Sequence, residues 1–151
     1  MSKICNMAML GDQCDSANID TNRCCRLFIR KFSFFEGEGA GNCGEDILPR
    51  AGNDIGFSIV FGNYGEVPYN PGNNPTVRDR LVVPSGLSLR VEDLSRESGY
   101  ELYSQELGRA LVVGDVLTSG TYNFTVTKGG KNNFIIGPNS VVGISMLFRI
   151  L

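Results

Sequence analysis

The sequence predicts an all-β fold: a single-domain sandwich or jelly-roll-like barrel of about eight or nine strands, with a cysteine-rich N-terminal arm. Three observations predict it. Apolar and polar residues alternate in several segments, most clearly "TYNFTVT" and "VVGISMLFRIL". Turn-forming residues recur at short intervals, with 19 glycines and 6 prolines among 151 residues. No stretch carries the apolar stripe of an amphipathic helix. The length suits one domain with one core, so the chain divides into an arm at 1–25 and a β domain at 26–151.

The arm holds Cys5, Cys14, Cys24 and Cys25, and its polar part, "GDQCDSANIDTNR", has no sustained period. Residues 26–35, "RLFIRKFSFF", are β-formers at both parities, which predicts a strand covered on two sides or interrupted by a bulge. Residues 55–61, "IGFSIVF", put Phe57, Ile59 and Phe61 on one face of a second strand. The next stretch, "GNYGEVPYNPGNNPTVR", is too rich in Pro, Gly and Asn for regular structure and reads as a long loop. "RLVVPSGLSLRVED" predicts a strand, a Pro-Ser-Gly turn and a half-buried strand, with room for one helical turn around "VEDLSRES". "ESGYELYSQELGRALVVGD" predicts two short strands meeting near Gly108. In "SGTYNFTVTKGGKNNFII", Tyr122, Phe124 and Val126 alternate with polar residues, and Gly129-Gly130 signals a hairpin. The terminal segment places Val142, Ile144, Met146, Phe148 and Ile150 on one face, and Val141, Ser145, Leu147 and Arg149 on the other, which is free to meet loops or a partner.

Composition narrows the function classes. The chain has no histidine and no tryptophan. Without His, the commonest general base, nucleophile partner and metal ligand are missing, so catalysis is not expected. The formal net charge of −2 gives no bulk attraction to nucleic acid or anionic membrane. No run approaches the ~18 apolar residues of a membrane helix. The N-terminus has neither the length nor the flanks of a signal peptide, and the expected setting is a cytosol unless an assembly carries the chain out.

Several motifs lead nowhere. "GAGNCG" places Gly39, Gly41 and Gly44 in the G-x-G-x-x-G spacing of a dinucleotide turn, but Pro49 and Gly52 leave no room for the helix that would hold a pyrophosphate. The five cysteines, Cys43 included, contain no C-x-x-C and have no His to complete a zinc set. They read first as reduced, buried thiols. Disulfides stapling the arm, zinc or an iron–sulfur cluster are the alternatives. No cofactor and no metal are expected. Asp12, Asp15 and Asp20 lack the spacing of a calcium loop. Glu36, Glu38, Glu45 and Asp46 sit among glycines that would hold a carboxylate pair poorly. Arg23, Arg26, Arg30 and Lys31 interleave with Phe28 and Phe32, but the acidic "EGEGAGNCGED" beside them cancels the local charge. "NFT" at 123–125 falls within a predicted strand, with no sign of secretion.

A β domain without catalytic residues, with long loops and an arm, fits a structural or binding role. Cys5 and Cys14 of the arm, and Tyr64 and Tyr69 of the long loop, are the expected interaction residues. The segments "GDVLTSGTYNFTVT" and "VVGISMLFRIL" resemble the small β proteins of tailed-phage virions, head decoration (cement) proteins being the nearest comparison. The resemblance covers the last third of the chain. It implies a virion protein, assembled in the host cytoplasm and binding capsid or other virion subunits, and a homo-oligomer. The alternative is a glycan- or surface-binding β-sandwich such as a receptor-binding tip, with Tyr64, Tyr69, Tyr100 and Tyr103 as stacking platforms.

Overall fold

The structure is a computed structural model and describes residues 5–10, 25–35, 40–41 and 50–151. It is all-β, with no helix among the described residues. The strands are β1 (Cys5–Leu10), β2 (Leu27–Phe35), β3 (Ala40–Gly41), β4 (Asp54–Asn63), β5 (Val77–Arg96), β6 (Tyr100–Ser104), β7 (Arg109–Ala110), β8 (Val116–Lys128) and β9 (Ser140–Ile150). All pairings are antiparallel. The order is β3-β2-β4-β9-β5-β8-β6-β7, and β1 adds to β5.

The 20-residue β5 organises the sheet. Its first half pairs with β1 on one edge and β8 on the other, and its second half pairs with β9. Between the halves, Pro84–Leu87 stand opposite Ser119 alone, because Val83 faces Gly120 and Ser88 faces Thr118. The predicted Pro-Ser-Gly turn is therefore a wide bulge inside one strand. Gly86, at φ 83°, supplies a backbone angle that other residues rarely adopt. Bulges of this kind bend a strand and sharpen its twist. β1 and β9 take successive stretches of the same edge of β5, opposite β8, and the backbone of β1 comes to lie beside β2.

Alternation fixes the buried face. Ile55, Phe57, Ile59 and Phe61 of β4 face inward with Ile144, Met146, Phe148 and Ile150 of β9, and all are essentially inaccessible. Leu81, Leu89, Leu117 and Phe124 complete the same cluster from β5 and β8. The rings of Phe57 and Phe148 meet edge-on at 6.3 Å, and Tyr100 meets Phe134 edge-on at 5.5 Å.

Four local expectations change. The helical turn around "VEDLSRES" does not form, because β9 pairs with this stretch and carries the strand to Arg96. "NNFII" makes no second hairpin strand. The Gly129-Gly130 turn closes through reciprocal Lys128–Lys131 backbone bonds, after which Asn132 accepts from the Thr76 N–H and Ile136 pairs with Tyr69. The 64–76 loop competes for those backbone groups and wins them. Strand β2 runs in unbroken register with β4 and is not covered on both sides: Arg30 is exposed and Phe32 is 45% exposed. Within the arm, residues 5–10 form a strand against β5.

At one end of the sheet the loops are fastened by Asn63. This side chain is fully buried and makes four hydrogen bonds. Its Oδ1 accepts from the N–H groups of Arg26 and Gly65, and its Nδ2 donates to the carbonyls of Val67 and Ile136. Every hydrogen-bonding position of the amide is used, so the entry of β2 and both loops share one anchor.

Candidate interaction surface

The outward residues of β2, β4 and β9 form cross-strand rows, because paired residues in an antiparallel sheet share a face. One row runs Phe28, Gly62, Val141, and another runs Phe32, Ser58, Ser145. Val141 is 60% exposed, and Tyr64, just beyond β4, is 59% exposed with its ring 6.1 Å from that of Phe28. Val60 and Leu147 are half-buried on the same face. The central strands carry small residues here, Gly56, Ser58, Gly62, Gly143 and Ser145. The two serine hydroxyls hydrogen-bond each other at 2.8 Å. The result is a low floor flanked by aromatic side chains. At Gly62 a Cβ would collide with the Ser140 carbonyl and the Phe28 ring, so glycine lets that ring lie across the sheet. At the end of the face the Arg149 guanidinium donates to Asp54 at 2.9 Å.

The inner side of β2 is different in kind. Lys31, opposite Ile59, points inward and donates to Asp79 of β5 at 3.0 Å. The ammonium also lies 5.5 Å from the Phe57 ring centroid. The Asp79 side chain is fully buried, and that of Lys31 is 16% exposed. Burial pushes the Lys31 ammonium down to about 8, against the attraction and hydrogen bond of Asp79, which raise it. This pair ties β2 to β5 across the apolar interior. The basic cluster read from the sequence is thereby split, with Arg30 outside and Lys31 inside.

A second exposed apolar spot lies at the turn after β7, where Val112 and Val113 are 48% and 58% exposed. Asp115 holds this turn rigid. It accepts two bonds from the Arg109 guanidinium and one from the Val112 N–H. The Arg109 hydrogen bonds keep the Asp115 carboxyl below its ordinary range, although burial acts the other way.

The expected interaction residues are dispersed. Cys5 begins β1, in register with Val82. Cys14 lies outside the described residues, as do Gly39 and Gly44; Gly41 is in β3, paired with Ser33 of β2. Tyr64 borders the apolar face. Tyr69 is half-buried against the core, and its backbone pairs with Ile136. Tyr100 is buried, which removes it as a stacking platform. Phe28 and Phe32 stand on the same face as Val141, which the sequence reading leaves free to meet a partner, whereas it weighs the two phenylalanines only within the basic cluster. Their signal was parity: Phe28 and Phe32 share the outward side with Arg30. Among the described residues no group of three or more His, Cys, Asp or Glu could hold a metal, and no helix is long and apolar enough to cross a membrane. Comparison with protein-family models, curated proteins and solved structures finds no match to this chain.

Proposed function

We propose that this chain is a structural assembly protein, a virion subunit of the capsid-decoration kind that binds a protein lattice and associates with copies of itself. The observation that carries the reading is the exposed apolar face of β2, β4 and β9, with Phe32, Tyr64 and Val141 open to solvent above a floor of small residues. Contiguous exposed apolar area marks contact surfaces, and aromatic residues are enriched at their centres. The passage of β5 between two halves of the sheet, with Lys31 and Asp79 bonded across the interior, supports reading the domain as a jelly-roll-like sandwich. The resemblance of the last third to phage decoration proteins supports the virion setting, with assembly in the host cytoplasm.

Sedimentation velocity of the purified chain tests self-association. We expect a concentration-dependent oligomer that Val141→Asp and Tyr64→Asp reduce to monomer at unchanged melting temperature. A chain that stays monomeric at high concentration would contradict the homo-oligomer, and an oligomer indifferent to both variants would contradict the face.

A further inference from the structure

A recess of about 670 Å³ lies between β6, β8 and the 130–133 segment. That volume lies in the range of small-molecule sites. It is lined by Tyr103, Gln105, Thr125, Thr127, Lys131 and Asn132, together with Gly130 and Asn133. Tyr103 and Thr125 are paired across β6 and β8, so ring and hydroxyl share one outward face. Tyr103 is 41% exposed, whereas Thr127 is only 9% exposed and sits deep.

The wall of the recess is held in place. Gly129 and Gly130, at φ 58° and 81°, make the tight turn that lifts the chain off β8. Beyond it, the Asn132 carbonyl accepts from the Thr76 N–H at 2.8 Å, the Phe134 carbonyl accepts from Thr76 Oγ1 at 2.6 Å, and Asn133 Nδ2 donates to the Gly72 carbonyl at 3.0 Å. Thr76 is itself buried. The segment is thus fixed before any ligand arrives, and little ordering cost is left for binding.

The chemistry of the lining is specific. It offers one exposed aromatic ring with its phenol, three side-chain amides that both donate and accept, two threonine hydroxyls and one cation. A purely apolar ligand would leave those amides and hydroxyls desolvated without partners, which is unfavourable. A phosphate would find a single lysine. A pyranose matches both parts: its C–H face packs on an aromatic ring, and its hydroxyls alternate between donor and acceptor.

We propose that this recess is a saccharide-binding site that takes a pyranose ring stacked on Tyr103, with the ring hydroxyls bonded by Gln105, Asn132, Thr125 and Thr127. Lys131 at the site favours a sugar bearing a carboxylate over its neutral counterpart. The site stands apart from the β2-β4-β9 face and does not depend on the assembly reading.

The test uses the full chain and a panel of oligosaccharides, neutral (glucose, galactose, mannose and N-acetylhexosamine units) and acidic (uronic and sialic acid units). Binding is read by saturation-transfer NMR on sugar ring protons and by intrinsic tyrosine fluorescence, which is unobscured because the chain has no tryptophan. At least one pyranose, an acidic one most strongly, is expected to receive saturation. Tyr103→Ala should weaken it about tenfold or more, the scale of one lost aromatic contact. Tyr103→Phe should retain it, and Lys131→Ala should erase the preference for acid. Tyr64→Ala, on the other face, should leave binding unchanged. A variant that melts like the wild type and binds undiminished without the Tyr103 ring overturns the proposal, and so does a panel with no saturation transfer.

Discussion

Removing Lys31 isolates one consequence of burying an ion pair. Lys31→Met removes the ammonium that donates to the fully buried Asp79 side chain. Breaking a buried pair from one side costs about 3–5 kcal/mol. The lower part of that range is expected, because Lys31 keeps 16% of its side chain exposed. The double variant Lys31→Met/Asp79→Leu removes both charges and should be at least as stable as the wild type, since two desolvation costs vanish together. The pH dependence follows the same logic. In the fold Lys31 loses its proton near pH 8, while its ordinary value is 10.5. Below about pH 8 both states hold the proton, and stability does not depend on it. From there to about 10.5 the unfolded chain binds more protons, so Lys31 makes stability rise with pH. A gap of about 2.5 pH units corresponds to roughly 3 kcal/mol. Urea unfolding followed by circular dichroism between pH 7 and 10.5 measures it as the wild type minus the double variant, in which the other titrating groups cancel. A Lys31→Met cost under about 1 kcal/mol, or a difference that is flat or falls with pH, would refute the account of this pair.

Other variants probe the packing. Phe148→Ala should cost about 3–5 kcal/mol by thermal or urea melting, because the ring is fully buried against Phe57. Arg149→Ala removes a solvent-exposed pair with Asp54 and should cost about 1 kcal/mol or less. Gly62→Ala should destabilise by about 1–3 kcal/mol, because its Cβ meets the Ser140 carbonyl and the Phe28 ring; a melt matching the wild type would show that this ring is not held across the sheet.

Strand content was legible wherever alternation was strong. The run from Val142 to Ile150 buries the five positions its parity indicates, and Tyr122, Phe124 and Val126 do the same in β8. Pairing partners decided what local pattern could not. "VEDLSRES" is short and charged, and only the company of β9 makes it a strand as far as Arg96. Asn132 to Ile136 has strand-like residues, yet its backbone groups are taken by Thr76 and Tyr69 of a loop more than 50 positions earlier. Lys31 reads as one of a basic cluster, and its inward parity became meaningful only once Asp79 stood opposite. The contact face was half legible. The outward set Val141, Ser145, Leu147 and Arg149 was plain in the sequence, but the register that aligns it with Phe28 and Phe32 through β4 is a tertiary fact. Of the recess beside β6 and β8 the sequence offered only the Tyr103 ring, because the other lining residues come from two strands and a loop.

The central claim is that the β2-β4-β9 face docks this chain onto a protein lattice. Quantitative mass spectrometry of particles purified from producing cells tests it most directly, comparing wild type with Val141→Asp at equal expression and equal melting temperature. The account predicts a wild-type copy number comparable to that of the lattice subunits and a marked depletion of the variant. Absence of the wild-type chain from the particles, or a Val141→Asp chain incorporated at the same level, would contradict it.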